Sequence, residues 1–351
     1  MNWGLIGNEQ AVSGLKRHIV DRQVRHAYLF TGPNAIGKRT LGLRFTQALN
    51  CERPGRPGDF CDPADPSACR VCRAVPKGID PDLHILTPQE SIRVDEIRLL
   101  QSRLALAPYG GRWRVALLPD FNQATPSSAN AMLKTLEEPP SRVVLLLTSP
   151  EQELLLPTVV SRCEVVPLRA VATTTIARSL LERGTAPERA ELLAAIADGR
   201  PGRAIALAED STAAEERTAA LRDFSDLMQM DLNQRFATVE RLIGKGELPD
   251  QRRRVENSLL EWMSLWRDLV HQGYGAELAS RNPDFAPAVE RRVSQLTAGE
   301  RQSALRSLAA SLQAVEANAN LRLTLEVLLL DLPRVGAAQI EEGSQAAAEA
   351  S

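Results

Sequence analysis

The residues from His26 to Thr40, H-A-Y-L-F-T-G-P-N-A-I-G-K-R-T, have types and spacing suited to holding phosphates. A short apolar strand, Ala27 to Phe30, runs into a loop opening at Gly32, and a helix is expected from Gly37–Lys38 to about Asn50. In such a loop the backbone N–H groups and the helix N-terminus hold the phosphates, and a lysine reaches the outer ones. Gly32, Gly37 and Lys38 fit G-x-x-x-x-G-K, but Arg39 stands where a hydroxyl should ligate Mg²⁺. Thr40 comes one place late, and a helix turns by about 100° per residue, so its hydroxyl cannot simply substitute. The expectation is a degenerate phosphate loop without its metal site. The sequence leaves open whether ATP or ADP is still held there.

Four of the five cysteines form a second group: Cys51, Cys61, Cys69 and Cys72, the last two as C-x-x-C. Four thiolates suit structural Zn²⁺ in tetrahedral geometry, and a set of four protein ligands leaves no open position for catalysis. The stretch from Cys51 to Asp82 is rich in Pro, Gly and Asp and has almost no apolar periodicity. Such a segment cannot order itself by burial, so a metal would supply the ordering. The competing readings are four unrelated thiols or a redox pair at Cys69 and Cys72. Cys163 stands apart and is expected to be a small buried hydrophobe.

These groups must be positioned by the elements around them. An amphipathic helix is expected within Leu5–Val24, strands at Leu83–Leu86, Trp113–Leu118 and Val143–Leu147, and helices at Val94–Ala107 and Ser127–Leu136. Strands alternating with helices argue for a mostly parallel α/β sheet. Beyond Leu168 the strand signals stop. Thr173–Arg183, Pro187–Ala197 and Gly202–Ala208 read as short helices, and Ala213–Leu332 as helical throughout, with breaks at Gly244–Pro249, Gly273–Pro287 and Thr297–Gly299. The last residues, rich in Ala, Glu, Gly and Ser, read as a disordered tail.

The chain has 351 residues, 42 basic and 44 acidic, a net charge of −2, and 44% hydrophobic residues. That balance disfavours a free-standing nucleic-acid binder. Met1–Gly7 has no secretory-signal pattern, and no apolar run reaches the roughly 18 residues of a membrane span, so a cytoplasmic protein without a membrane partner is expected.

Three further stretches carry a resemblance. Asn130–Pro140, N-A-M-L-K-T-L-E-E-P-P, resembles a signature of bacterial clamp-loader subunits; Ser161-Arg162-Cys163 resembles the S-R-C motif of the same AAA+ family; and Asn318–Glu326 is similar to the close of its collar domain. From about Gly7 to Leu332 the chain is similar to that family, whose bacterial members include the delta-prime, gamma and tau subunits of DNA polymerase III. The resemblance implies an α/β AAA+ P-loop domain over 1–167 with a zinc module at 51–72, a helical lid over 168–210, an all-α collar over 211–333, and a tail over 334–351. It implies Zn²⁺ held by the four clustered cysteines. It implies a finger role for Arg162, reaching a neighbouring subunit's nucleotide, where such an arginine can be worth about 10³–10⁵-fold in rate. Arg203 falls at the sensor 2 position of the lid, Thr148 and Ser149 near sensor 1; a lid ion pair and a strand-end turn are the plainer readings of each.

Within the family an active member needs an aspartate to hold the metal and a following glutamate to activate water. At the family spacing these positions fall on Pro119 and Asp120; one residue later they fall on Asp120 and Phe121. Either way one group is missing, and Arg39 damages the same metal site independently. The expectation is a delta-prime-type subunit without ATPase activity of its own. It would sit in a hetero-pentamer with gamma/tau and delta subunits, meeting the sliding clamp and primer–template DNA through the assembled complex. The alternative is a catalytically active gamma/tau-type ATPase. His18, His26, His84 and His271 form no ligand spacing. The arginines at 252–254 and 291–292 read as solvated helix faces, and Trp262 and Trp266 as core or subunit interface.

Overall fold

The computed structural model of the chain describes residues 2–88, 91–275 and 280–335. It divides into two compact units: Met1–Gly184 with Gly199–Ile205, and Thr185–Asp198 with the described residues from Ala206 onward. The tail expected over 334–351 lies, from residue 336 on, outside the described residues.

The first unit is built on a parallel sheet of five strands, β1 (Ala27–Thr31), β2 (Leu83–Ile85), β3 (Arg114–Leu118), β4 (Val143–Ser149) and β5 (Glu164–Pro167), in the order β2-β3-β4-β1-β5. Every residue of β1, β3 and β4 is buried. Their near-continuous Val/Leu runs are what a parallel sheet covered on both faces requires. The expected strand positions hold, and β5 is an addition: E-V-V-P is short, its valines are only half-buried, and it pairs with β1 through Tyr28↔Glu164 to Thr31↔Pro167.

Helices α1 (Glu9–Val20), α2 (Lys38–Asn50), α3 (Arg70–Ala74), α4 (Val94–Leu104), α5 (Pro126–Glu137), α6 (Pro157–Val160) and α7 (Thr173–Glu182) complete this unit, together with the start of a later helix at Pro201. α2 begins and ends where the glycine–lysine junction and the Pro/Gly-rich change in composition predict. α5 starts on a Thr125 cap, whose Oγ1 accepts from the Ser128 N–H at 3.2 Å, with Pro126 at the first helical position.

The second unit contains α8 (Pro187–Ile196), α10 (Ser211–Leu227), α11 (Leu232–Ile243), α12 (Leu248–Gly273), α13 (Ala286–Val293), α14 (Ala298–Glu316) and α15 (Leu321–Asp331); α9 (Pro201–Glu209) is divided between the units after Ile205. Its core centres on Trp262, Trp266 and Phe224, all buried: Phe224 stacks on Trp262 at 5.1 Å and meets Trp266 edge-on at 5.6 Å. Both indole N–H groups are satisfied, donating to the carbonyls of Ala220 (2.8 Å) and Arg301 (2.6 Å). The tryptophan stripe is therefore core. The arginines read as solvated faces divide: Arg253, Arg254 and Arg291 are exposed, but Arg292 is buried and donates to the Ser225 carbonyl at 2.7 Å. Arg252 reaches the Val315 carbonyl at 2.6 Å and Arg254 that of Ile243 at 2.8 Å. These contacts satisfy carbonyls at helix C-termini, which no local sequence pattern announces.

Candidate functional site

Parallel strands deliver their following loops to one edge of the sheet, and ligands of open α/β folds bind at that carboxyl edge. Here β1 and β4 end in register at Thr31↔Ser149, and the Gly32 N–H donates to the Pro150 carbonyl at 2.9 Å, opening the phosphate loop at that edge. Gly32 has φ 137° and a Cβ there would fall 2.4 Å from the Leu168 carbonyl oxygen, so only glycine fits. Gly37, φ 109°, precedes α2.

Lys38 is buried, and its Nζ donates to the carbonyls of Gly32 (2.6 Å) and Pro33 (3.2 Å). Burial pulls its pKa below the usual lysine value, against an opposing pull from the Asp120 carboxylate. Arg39 and Thr40 are both exposed. Asp120 follows β3 with φ 49°, and its N–H donates to Thr148 Oγ1 at 2.9 Å. Phe121, next in sequence, is 1% exposed and packs in the core beneath the sheet edge. Ser149 Oγ donates to the Glu151 carbonyl at 2.6 Å, a strand-end turn. The structure thus brings Lys38, Asp120 and Thr148 to one place, with Pro119 before Asp120 and the buried ring of Phe121 after it. The start of α9 approaches the same loop: the Gly202 N–H donates to the Ala35 carbonyl at 2.9 Å, and a Cβ on Gly202 would lie 2.7 Å from that oxygen. Half-buried Arg203 follows directly.

Arg162 follows the short helix α6 and is partly exposed. Its Nη1 donates to the Thr158 carbonyl at 2.9 Å, and its Nη2 stands 2.8 Å from Glu137 Oε1. Glu137 closes α5, so the two motif stretches meet in space, a pairing not readable from either motif alone. Half-buried Cys163 has its thiol raised to about 12 by burial, in keeping with an unreactive packing role.

The four clustered cysteines converge. Thiolates around one Zn²⁺ at about 2.3 Å stand about 3.8 Å apart. Cys51 Sγ is 3.5 Å from Cys61 Sγ and 4.0 Å from Cys69 Sγ, and all four sulfurs lie within 4.8 Å of one another. All are free thiols, buried except half-buried Cys61. Burial pushes the thiols of Cys51 and Cys72 up, the second also through its neighbours Cys69 and Cys51. At Cys69 burial is outweighed by hydrogen bonds from the Cys72 and Glu52 backbone, and the thiol is lowered. A coordinated cation overrides these shifts by deprotonating its thiol ligands outright. The donor set fits Zn²⁺. The loop is not wholly irregular, since α3 buries Val71 and Cys72. It is anchored to the N-terminal residues: Trp3 Nε1 donates to the Gly58 carbonyl at 3.1 Å, and the ring stacks on Phe45 of α2.

Comparison with known proteins finds similarity over part of the chain. Residues 7–172 match the family described as DNA polymerase III, delta subunit. The chain is similar to the DNA polymerase III subunit delta′ of Pseudomonas aeruginosa, 38% identical over 187 residues, which are 51% of this chain and 54% of that protein. It is also similar to the subunit tau/gamma of Haemophilus influenzae, 32% identical over 176 residues, 50% of this chain and 25% of that protein. The matches thus span about half, or less, of these relatives' lengths. A solved gamma subunit-related protein of Thermotoga maritima aligns over 91% of this chain and 97% of its own, at 19% identity and a TM-score of 0.45.

Proposed function

We propose that this chain, which belongs to the clamp-loader family of DNA polymerase III subunits, acts as a delta-prime-type subunit: it hydrolyses no ATP itself and lends Arg162 to a neighbour's ATP site. The observation that carries the reading is the double fault at its own magnesium position. Lys38 is followed by exposed Arg39 in place of a metal-binding hydroxyl, and Asp120 is flanked by Pro119 and the core residue Phe121, so in either register the metal-holding aspartate or the catalytic base is missing. Each fault alone impairs metal-assisted phosphoryl transfer, and the two are independent in sequence.

In this reading Arg162, a planar and permanently charged fork, stabilises charge building on the phosphoryl group transferred next door. Cys51, Cys61, Cys69 and Cys72 would hold Zn²⁺, which when bound supplies folding energy and no reaction step. The partners are gamma/tau and delta subunits, with the sliding clamp and primed DNA met by the assembly through phosphate contacts. A lid over 168–210 and a collar over 211–333 serve that assembly. A second reading, an active gamma/tau-type ATPase, draws on the tau/gamma relative and on the Asp120 charge beside Lys38.

The test is an assembly in which only the adjacent ATP site can hydrolyse. Arg162→Ala is expected to slow turnover there at least about tenfold, given what fingers contribute. An unchanged rate would remove the finger.

A further inference from the structure

We propose that Glu137 is a positioning residue for Arg162, holding the guanidinium in the orientation from which it reaches a neighbour's phosphates; this rests on the reading of Arg162 as a finger. Glu137 is the last residue of α5, and its Oε1 lies 2.8 Å from Arg162 Nη2. The second anchor is local: Arg162 Nη1 donates to the Thr158 carbonyl at 2.9 Å, with Ser161 Oγ at 3.4 Å. A guanidinium carries five N–H donors, so these contacts orient it without exhausting it.

An arginine on a surface samples many rotamers, and every one that points away from the incoming phosphoryl group lowers the rate. Two anchors on different nitrogens restrict that search before the neighbour arrives. The site also favours a cation in its own right, because the Glu137 carboxylate adds to the negative end of the α5 dipole. The pair is soft enough to yield. The side chains of Arg162 and Glu137 are 35% and 51% exposed, so solvent screens their attraction, and a phosphate with more charge can compete for the same donors. The N-A-M-L-K-T-L-E stretch and the S-R-C stretch thereby form one device: the first ends in the carboxylate that aims the arginine of the second.

The experiment compares Glu137→Ala, Glu137→Gln, Arg162→Ala and the Glu137→Ala/Arg162→Ala pair in the single-active-site assembly, with kcat and KM for ATP measured separately. Thermal melting of each free chain checks that exposed Glu137 has no folding role. Glu137→Ala is expected to lower kcat roughly three- to tenfold with KM nearly unchanged. Glu137→Gln, whose amide oxygen still accepts a hydrogen bond, should recover most of the rate, and Glu137→Ala should add nothing once Arg162 is gone. A normal or raised kcat for Glu137→Ala, or a loss that persists in the Arg162→Ala background, overturns the positioning role while the finger reading stands. If Arg162→Ala itself has no effect, the finger reading falls, and the positioning role with it.

Discussion

Arg39 is the residue on which the chemistry of the chain's own pocket turns. Replacing it by threonine puts a hydroxyl directly after Lys38, the position from which phosphate loops ligate Mg²⁺. Arg39→Thr is expected to strengthen Mg²⁺–ATP binding in calorimetric titration without starting hydrolysis, because Pro119 and Phe121 on either side of Asp120 still leave the metal aspartate or the base missing. Hydrolysis by this single variant would show that neither the metal ligand nor the base is missing. A different arginine holds the helical unit together. Arg235 is 1% exposed and donates to the carbonyls of Leu227 (2.9 Å), Leu329 (2.8 Å), Leu332 (2.7 Å) and Pro333 (2.9 Å). These close α10 and α15, whose last carbonyls have no partner within their own helices. Arg235→Met strips several buried acceptors at once and should cost about 3 kcal/mol or more in urea unfolding. A change below about 0.5 kcal/mol would mean that water replaces the guanidinium.

Among the elements, those specified by local pattern were legible and those specified by distant contacts were not. The glycine–lysine junction fixes the start of α2. β5 escaped because four residues with half-buried valines carry too little alternation, and its place is decided by pairing with β1. The gathering of the four cysteines could be expected from the sequence, but α3 and the seating of Trp3 against Gly58 could not. The Glu137–Arg162 contact was hidden for the same reason: its partners stand 25 positions apart in sequence (162 − 137). The cysteine loop gives the prediction at this scale. Protein purified without chelator should contain one equivalent of zinc. Its removal should lower the melting temperature and release the loop, so that Cys51, Cys61, Cys69 and Cys72 lose their burial and react with a thiol reagent at neutral pH. Cys163, whose raised pKa keeps it a neutral thiol there, should stay slow. Absence of zinc, with melting indifferent to chelator, would refute the metal site.

The whole molecule joins a parallel α/β unit to a helical one, and among its described residues no helix is long and apolar enough to cross a membrane. Its net charge of −2 gives no general attraction for DNA, so the free chain is expected to bind primed DNA weakly, with affinity appearing only in the assembly. Tight, salt-sensitive binding by the isolated chain in fluorescence anisotropy would reverse that expectation. On the proposed function, the chain's own pocket is catalytically idle and its arginine serves a neighbour. The most direct measurement is steady-state ATP hydrolysis by the isolated, purified chain and its Lys38→Ala variant with saturating Mg²⁺. Both are expected to turn over ATP at the background rate. Turnover well above background that disappears with Lys38→Ala would contradict that expectation.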